Sequence, residues 1–250
     1  MKILGLIPAR MGSSRFPGKP MAQLLGKPMI GRVYERVARS PLLTTTAVAT
    51  CDQVIFDYVE SIGGTAVMTA DTYERASDRC AEALLRLESI NRTRYDIVVM
   101  VQGDEPMTHP NMISEALEPM LKDPNIQVVN LMGKIKDVAE FEDRNCIKVV
   151  CDLQSNALYF SREPIPTNCK VDIIPMLKQV CVIPFRRDYL LEYTRSTPTP
   201  LEIAESVDMM RIIEHGIKIR MKPTQYISYA VDTPADLAKV ESLIRVSSEC

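Results

Sequence analysis

Lys2-Ile3-Leu4-Gly5-Leu6-Ile7-Pro8-Ala9-Arg10-Met11-Gly12-Ser13-Ser14-Arg15-Phe16-Pro17-Gly18-Lys19-Pro20 joins an apolar run to a basic, turn-rich loop. Residues 2–8 show no apolar–polar alternation, so they read as a strand covered on both faces, as in a parallel sheet between helices. A loop that follows such a strand sits at the carboxyl end of the sheet, where open α/β sheets bind their ligands. No Asp or Glu precedes Glu35, while Lys2, Arg10, Arg15, Lys19, Lys27 and Arg32 all fall in the same stretch. Gly12 and Gly18 let backbone N–H groups turn toward an anion, and Ser13 and Ser14 add donors. Arginine offers a bidentate fork to phosphate and lysine a compact charge. Several cations on one loop suit a polyphosphate. Two common phosphate loops are excluded: G-x-x-x-x-G-K-[ST] needs a hydroxyl where Pro20 stands, and G-x-G-x-x-G is absent.

The chain has 250 residues, 46% apolar and 25% charged, with a formal net charge of -2. That length fits one large α/β domain or a domain with a sub-domain. The near-neutral charge gives no reason to expect a nucleic acid or an anionic membrane as partner. No apolar stretch approaches the about 18 residues of a membrane span, and Met1–Ala9 lacks the longer core and cleavage site of a signal peptide. Seven cysteines at scattered positions, with no C-x-x-C, argue against a disulfide framework and a structural zinc site and favour reduced thiols in a cytoplasmic protein. Two histidines, His109 and His215, leave no histidine-rich metal site.

Working outward from the first strand, helical spacing covers 27–40, 53–62 and 76–87. Strands are expected at 46–50, 66–68 and 96–101, with a helix at about 110–121. This strand–helix alternation implies a mostly parallel sheet with helices on both faces. From about 126 to 186 short apolar runs dominate: 128–131, 147–151, 157–160 and 179–184. They read as a more antiparallel insertion within one domain spanning 1–250. One helix is expected at 187–194, another at 204–215 ending at Gly216, then a strand at 217–222. Thr233 and Pro234 supply the cap and first residue of a further helix.

Asp104 and Glu105 directly follow the apolar run Asp96–Val101, and Asp232 stands before the Thr233-Pro234 helix start. A carboxylate at a strand end is placed to hold a hard cation. Mg2+ shares itself between one or two carboxylates and substrate phosphates, so Asp104 and Asp232 with the basic loop make one coherent metal–polyphosphate site. Asp104 also has the position of a helix cap, and Asp232 sits where any carboxylate is favoured by a helix N-terminus. Glu105, beside Pro106, reads as structural.

These residues fall in motifs that resemble the sugar-acid cytidylyltransferases, most closely the 3-deoxy-manno-octulosonate (Kdo) cytidylyltransferases. The motifs are Ile7-Pro8-Ala9-Arg10, Ser13 to Pro20, Gly26 to Ile30, Val48-Ala49-Thr50, Asp78-Arg79, Val101 to Pro106, Lys148-Val149-Val150, Ala157 to Arg162 and Val231 to Pro234, running nearly end to end. The resemblance implies a Rossmann-like nucleotidyltransferase fold with an inserted dimerisation region, and hence a homodimer. It implies the reaction of CTP with a 3-deoxy-2-ulosonic acid to give CMP-sugar and pyrophosphate, assisted by Mg2+. It assigns the nucleotide to Pro8, Ala9, Arg10, Gly12, Ser13, Ser14, Arg15, Lys19, Arg79 and Gln102. Arg15, Lys19, Asp104 and Asp232 become the catalytic group, with Asp104 and Asp232 on the metal. The acidic sugar falls to Gln102, Lys148, Arg162, Glu205 and Arg211.

Four places depart from the family pattern. Arg75-Ala76-Ser77-Asp78-Arg79 stands where Ser-Gly-Thr-Asp/Glu-Arg is usual. Lys178 to Arg186 replaces a histidine-containing stretch ending in Gly-Ile-Tyr-Gly-Tyr-Arg. Met209 occupies a glutamine position, and Cys51 an aspartate position with Asp52 beside it. A nucleotidyltransferase using another base or acceptor, such as a sugar-1-phosphate, and a nucleotide-sensing protein without catalysis are the alternatives.

Overall fold

The computed structural model describes residues 1–13, 15–167 and 175–248. The chain divides into two compact units, Met1–Ser114 with Ile227–Cys250, and Glu115–Tyr226.

In the first unit, β1 (Ile3–Ala9), the short hairpin β2 (Gln23–Leu24) and β3 (Lys27–Pro28), α1 (Met29–Ala38), β4 (Thr45–Thr50), α2 (Gln53–Ser61), β5 (Ala66–Met68), α3 (Ala76–Asn91) and β6 (Ile97–Val101) follow in order. The strands lie side by side as β6, β1, β4, β5, all parallel. Every residue of β1 and of β6 is buried, which is why both read as unbroken apolar runs. Burying Val33 and Val37, one turn apart on α1, seats that helix on the sheet. Consecutive parallel strands joined by helices place the loops after β1, β4, β5 and β6 together at one end of the sheet.

The helix α4 (Pro110–Lys122) follows β6. The second unit holds β7 (Val129–Lys134), α5 (Val138–Glu142), β8 (Lys148–Cys151), β9 (Ala157–Ser161), β10 (Leu177–Val180), β11 (Val182–Arg186), α6 (Arg187–Tyr193), α7 (Pro200–Glu205), α8 (Met209–Glu214) and β12 (Arg220–Pro223). Its sheet runs β12, β7, β10, β8, β9. The contacts of β10 with β7 and β8, and of β8 with β9, are antiparallel; only β12 pairs with β7 in parallel. The last helix, α9 (Pro234–Ser248), belongs to the first unit.

The mixed α/β class with a mostly parallel sheet and a second, more antiparallel one is as the sequence implied. Three element readings need correction. The run 179–184 is two strands, broken at Cys181. The segment 204–215 is two helices, because Ser206 takes a left-handed backbone (φ 52) and ends α7 there. Helix α7 starts earlier, at Thr199-Pro200-Leu201-Glu202, where the Glu202 carboxylate reaches back to the Thr199 N–H at 3.2 Å. The short helix α5, capped by Asp137 on the Glu140 N–H at 2.8 Å, has too few residues for a periodic signal.

A fully buried ion pair fastens α7 to α8. Arg211 donates to both Glu202 oxygens, at 2.7 and 2.6 Å, and to the Ser196 carbonyl at 3.1 Å, with Tyr193 against its guanidinium. Removing one member of such a pair strands the other charge, at a cost of about 3–5 kcal/mol. Arg211→Met is expected to lose that much unfolding free energy in urea denaturation. The double change Arg211→Met with Glu202→Leu is expected to lose clearly less.

Candidate active site

The basic loop after β1 is ordered by its own backbone. Ser13 and Gly18 both donate to the Met11 carbonyl, at 2.9 and 3.1 Å, and Phe16 donates to Ser13 Oγ at 3.3 Å. Gly18 holds φ 73, a left-handed turn that releases the chain into a short 3-10 turn at Lys19–Met21. Phe16 packs against a small apolar cluster of Leu24, Met29, Val231, Val240 and Ile244. Ser14 lies outside the described residues.

The loop after β6 comes close alongside. Gly103 is needed there, since a Cβ would sit 2.9 Å from the Pro8 carbonyl oxygen. Next to it, the Asp104 carbonyl accepts the Val231 N–H at 2.9 Å, and the buried Glu105 carboxylate accepts a short hydrogen bond from the Ser228 hydroxyl. Those two bonds tie residues 228–231 to the end of β6 and bring Asp232 beside Asp104. Thr233 and Asp236 cap each other at the start of α9: the Asp236 N–H donates to Thr233 Oγ1 at 3.2 Å, and the Thr233 N–H to the Asp236 carboxylate at 2.8 Å. Among the described residues the Asp104 carboxylate meets the Lys19 amine.

Lys19 joins the two aspartates. Its amine lies 2.7 Å from Asp104 Oδ2 and 3.2 Å from Asp232 Oδ1, and Arg15 donates to the same Asp232 oxygen at 2.9 Å. Burial works against the Lys19 charge, but Asp104 and Asp232 outweigh it and hold the ammonium pKa above its ordinary value. Arg15 is half exposed, whereas Lys19 and both aspartates are largely covered. Among the described residues no group of three or more His, Cys, Asp or Glu side chains is arranged to hold a metal. Two carboxylates converging on one ammonium, one after β6 and one before α9, suit an ion that completes its coordination with phosphate oxygens and water.

The neighbouring strand ends supply the rest of the rim. After β4, Asp52 accepts the Met11 N–H at 2.8 Å and so anchors the basic loop. Burial pushes the adjacent Cys51 thiol up, with nearby Arg79 opposing, so it remains a thiol at neutral pH. After β5, the buried Arg79 donates to Thr69 Oγ1 at 2.5 Å and to the Ala70 and Tyr73 carbonyls at 3.2 Å each. Arg10 reaches the same Tyr73 carbonyl at 3.4 Å. Arg79 therefore shapes the 69–73 loop through its guanidinium.

The first unit thus brings together Pro8, Ala9, Arg10, Gly12, Ser13, Arg15, Lys19, Arg79, Gln102, Asp104 and Asp232. Lys148, Arg162, Glu205 and Arg211 belong to the second unit. Two of these are engaged by internal partners. The Lys148 amine is buried and spends its three N–H bonds on the carbonyls of Asp143 (2.8 Å), Cys146 (2.7 Å) and Arg162 (2.5 Å). Arg211 is the partner of Glu202 described above. Glu205 accepts from the Tyr159 and Ser161 hydroxyls at 3.2 and 2.9 Å and from the Arg162 N–H at 2.9 Å. The Arg162 guanidinium is braced by the carbonyls of Glu205, Arg144 and Ser206. Asp52 was the residue that composition alone passed over; its place directly after a β-branched strand was the available signal. The five described cysteines, Cys51, Cys80, Cys146, Cys151 and Cys181, are free thiols. No helix among the described residues is long and apolar enough to cross a membrane.

A doubly wound sheet with cations and paired carboxylates at its strand ends defines an enzyme class that handles nucleotide phosphates. Residues 4–219 match the cytidylyltransferase family model, and the chain belongs to that family. It is 41% identical over 251 aligned residues to the 3-deoxy-manno-octulosonate cytidylyltransferase of Geobacter metallireducens, covering 96% of each chain. Its identity to the enzyme of the same name from Syntrophus aciditrophicus is 42% over 245 residues, covering 97% of each. Among solved structures it matches a CMP:2-keto-3-deoxy-manno-octonic acid synthetase complexed with CTP, at TM-score 0.88 and 37% identity, over 99% of this chain and 100% of that one. A 4-diphosphocytidyl-2C-methyl-D-erythritol synthase from Anaerococcus prevotii shares the fold at TM-score 0.66 and 13% identity.

Losing the Asp52 anchor frees the Met11 N–H and loosens the loop without touching the core. Asp52→Ala is expected to raise the KM for nucleotide about tenfold, the worth of one charge-assisted hydrogen bond. The thermal unfolding midpoint is expected to stay close to that of the wild type.

Proposed function

We propose that this chain transfers the cytidylyl group of CTP to the anomeric hydroxyl of Kdo or a closely related 3-deoxy-2-ulosonic acid, giving the CMP-sugar and pyrophosphate. The observation that carries this reading is the convergence of Asp104 and Asp232 on the Lys19 amine, beside the loop that bears Arg10 and Arg15. Family membership and the full-length similarity to relatives of that name support CTP and the acid.

In this reading Arg10, Arg15, Lys19 and the N–H groups near Gly12 and Ser13 bind the triphosphate. Pro8 and Ala9 offer backbone to the nucleoside. Gln102 stands at the end of β6 between nucleotide and acceptor. Asp104 and Asp232 hold Mg2+, which when bound neutralises charge on the phosphate oxygens. The anomeric oxygen forms its bond to the α-phosphorus as the α–β bridging bond breaks, and the hydroxyl proton is released. Arg15 and Lys19 stabilise the charge gathering on the departing pyrophosphate. Arg162, braced by its carbonyls, and Glu205 are the candidates for the acidic sugar. Lys148 and Arg211 are left out of that set. The resemblance also supports a homodimer in the cytoplasm, with the inserted region 126–186 carrying the dimer contact; sedimentation at micromolar concentration tests it.

A second reading rests on the departures at 75–77 and 178–186: the same reaction with another base or acceptor. Pyrophosphate release with CTP, UTP, GTP or ATP against a panel of ulosonic acids and sugar-1-phosphates separates the two. The first reading expects turnover with CTP and Kdo or a near relative only. Asp104→Ala is expected to lower turnover at least about a thousandfold while CTP still binds. Unchanged turnover in that variant would overturn the metal assignment.

A further inference from the structure

The cations assigned to phosphate are paired with carboxylates. Lys19 and Arg15 both point at Asp232 Oδ1, and Lys19 also takes Asp104 Oδ2. These are the carboxylates assigned to the metal. An ammonium 2.7 and 3.2 Å from two oxygens stands where an ion bound at about 2.0–2.1 Å would have to sit. Two cations cannot share that space, because at so short a distance their repulsion is large in a partly dry site. Each loop cation therefore has two alternative partners, the carboxylates or a polyphosphate.

We infer that Lys19, seconded by Arg15, is a resident counter-ion that occupies the metal's carboxylates until a nucleotide draws it onto the phosphates. The divalent ion enters with the nucleotide and not before it. The inference rests on the metal assignment proposed above. It also makes Lys19 a positioning residue: its charge keeps Asp104 and Asp232 from repelling each other and so holds the two carboxylates together.

The test needs neither CTP nor an acid sugar, so its failure is distinct from failure of the substrate assignment. Mn2+ alone is titrated into the full chain and followed by electron paramagnetic resonance of the free ion. Wild type is expected to bind Mn2+ weakly. Lys19→Met is expected to bind it at least about tenfold more tightly, since the competing charge is gone. The double variant Lys19→Met with Asp104→Asn is expected to lose that gain. A second readout guards against a folding defect: Mg2+ alone is expected to raise the unfolding midpoint of Lys19→Met more than that of wild type. Equal Mn2+ affinity in wild type and Lys19→Met overturns the inference. A gain that survives Asp104→Asn overturns it as well, because the ion then sits elsewhere.

Discussion

One ammonium between two carboxylates organises the functional end of this protein. Lys19 stands 85 positions from Asp104 and 213 from Asp232, yet all three meet because each lies at a structural boundary: in the turn after β1, after the end of β6 and before the start of α9. The gain in stability from such a cluster is small, since desolvating charges offsets much of their attraction. Its worth lies in arrangement. The Asp104 carbonyl on the Val231 N–H, the Ser228–Glu105 bond and the cap at Thr233 each fix one of the approaching segments. Gly103 lets the end of β6 come against Pro8 where a side chain would collide. These contacts make sense together only as the frame of a charged site.

Much of this frame was legible in the residues themselves. The unbroken apolar runs of β1 and β6 gave away strands covered on both faces. An acid-free loop after the first of them, and an aspartate directly after the second, marked the strand-end site. Asp232 was harder to place, because its neighbour Thr233-Pro234 explains an aspartate there by helix chemistry alone. What brought Asp232 into the site was a hydrogen bond between two backbone groups, Val231 and Asp104, which no side-chain pattern announces.

The second unit was less transparent for a related reason. Lys148, Arg162, Glu205 and Arg211 look alike in sequence: charged residues that the resemblance assigns to the acidic sugar. Burial separates them. Lys148 is fully enclosed with three carbonyls around its amine, and Arg211 is locked onto Glu202 inside the α7–α8 pair. Both serve as internal cross-links, a role that depends on which loops fold over them. The α7–α8 break at Ser206 was hidden in the same way, since a left-handed serine carries no glycine to signal it. Arg79 shows the intermediate case: a motif arginine whose guanidinium acts on the backbone of residues 69–73 and only through them on the rim.

The order in which the chain is made gives the Ser228–Glu105 and Val231–Asp104 bonds a further meaning. Everything on the β1 and β6 side of the site is encoded before the second unit, and Asp232 after it. Phe16 of the basic loop rests on Val231, Val240 and Ile244, so the loop's own support also comes from the later segment. The site, and the loop beneath it, thus need residues from both sides of the second unit.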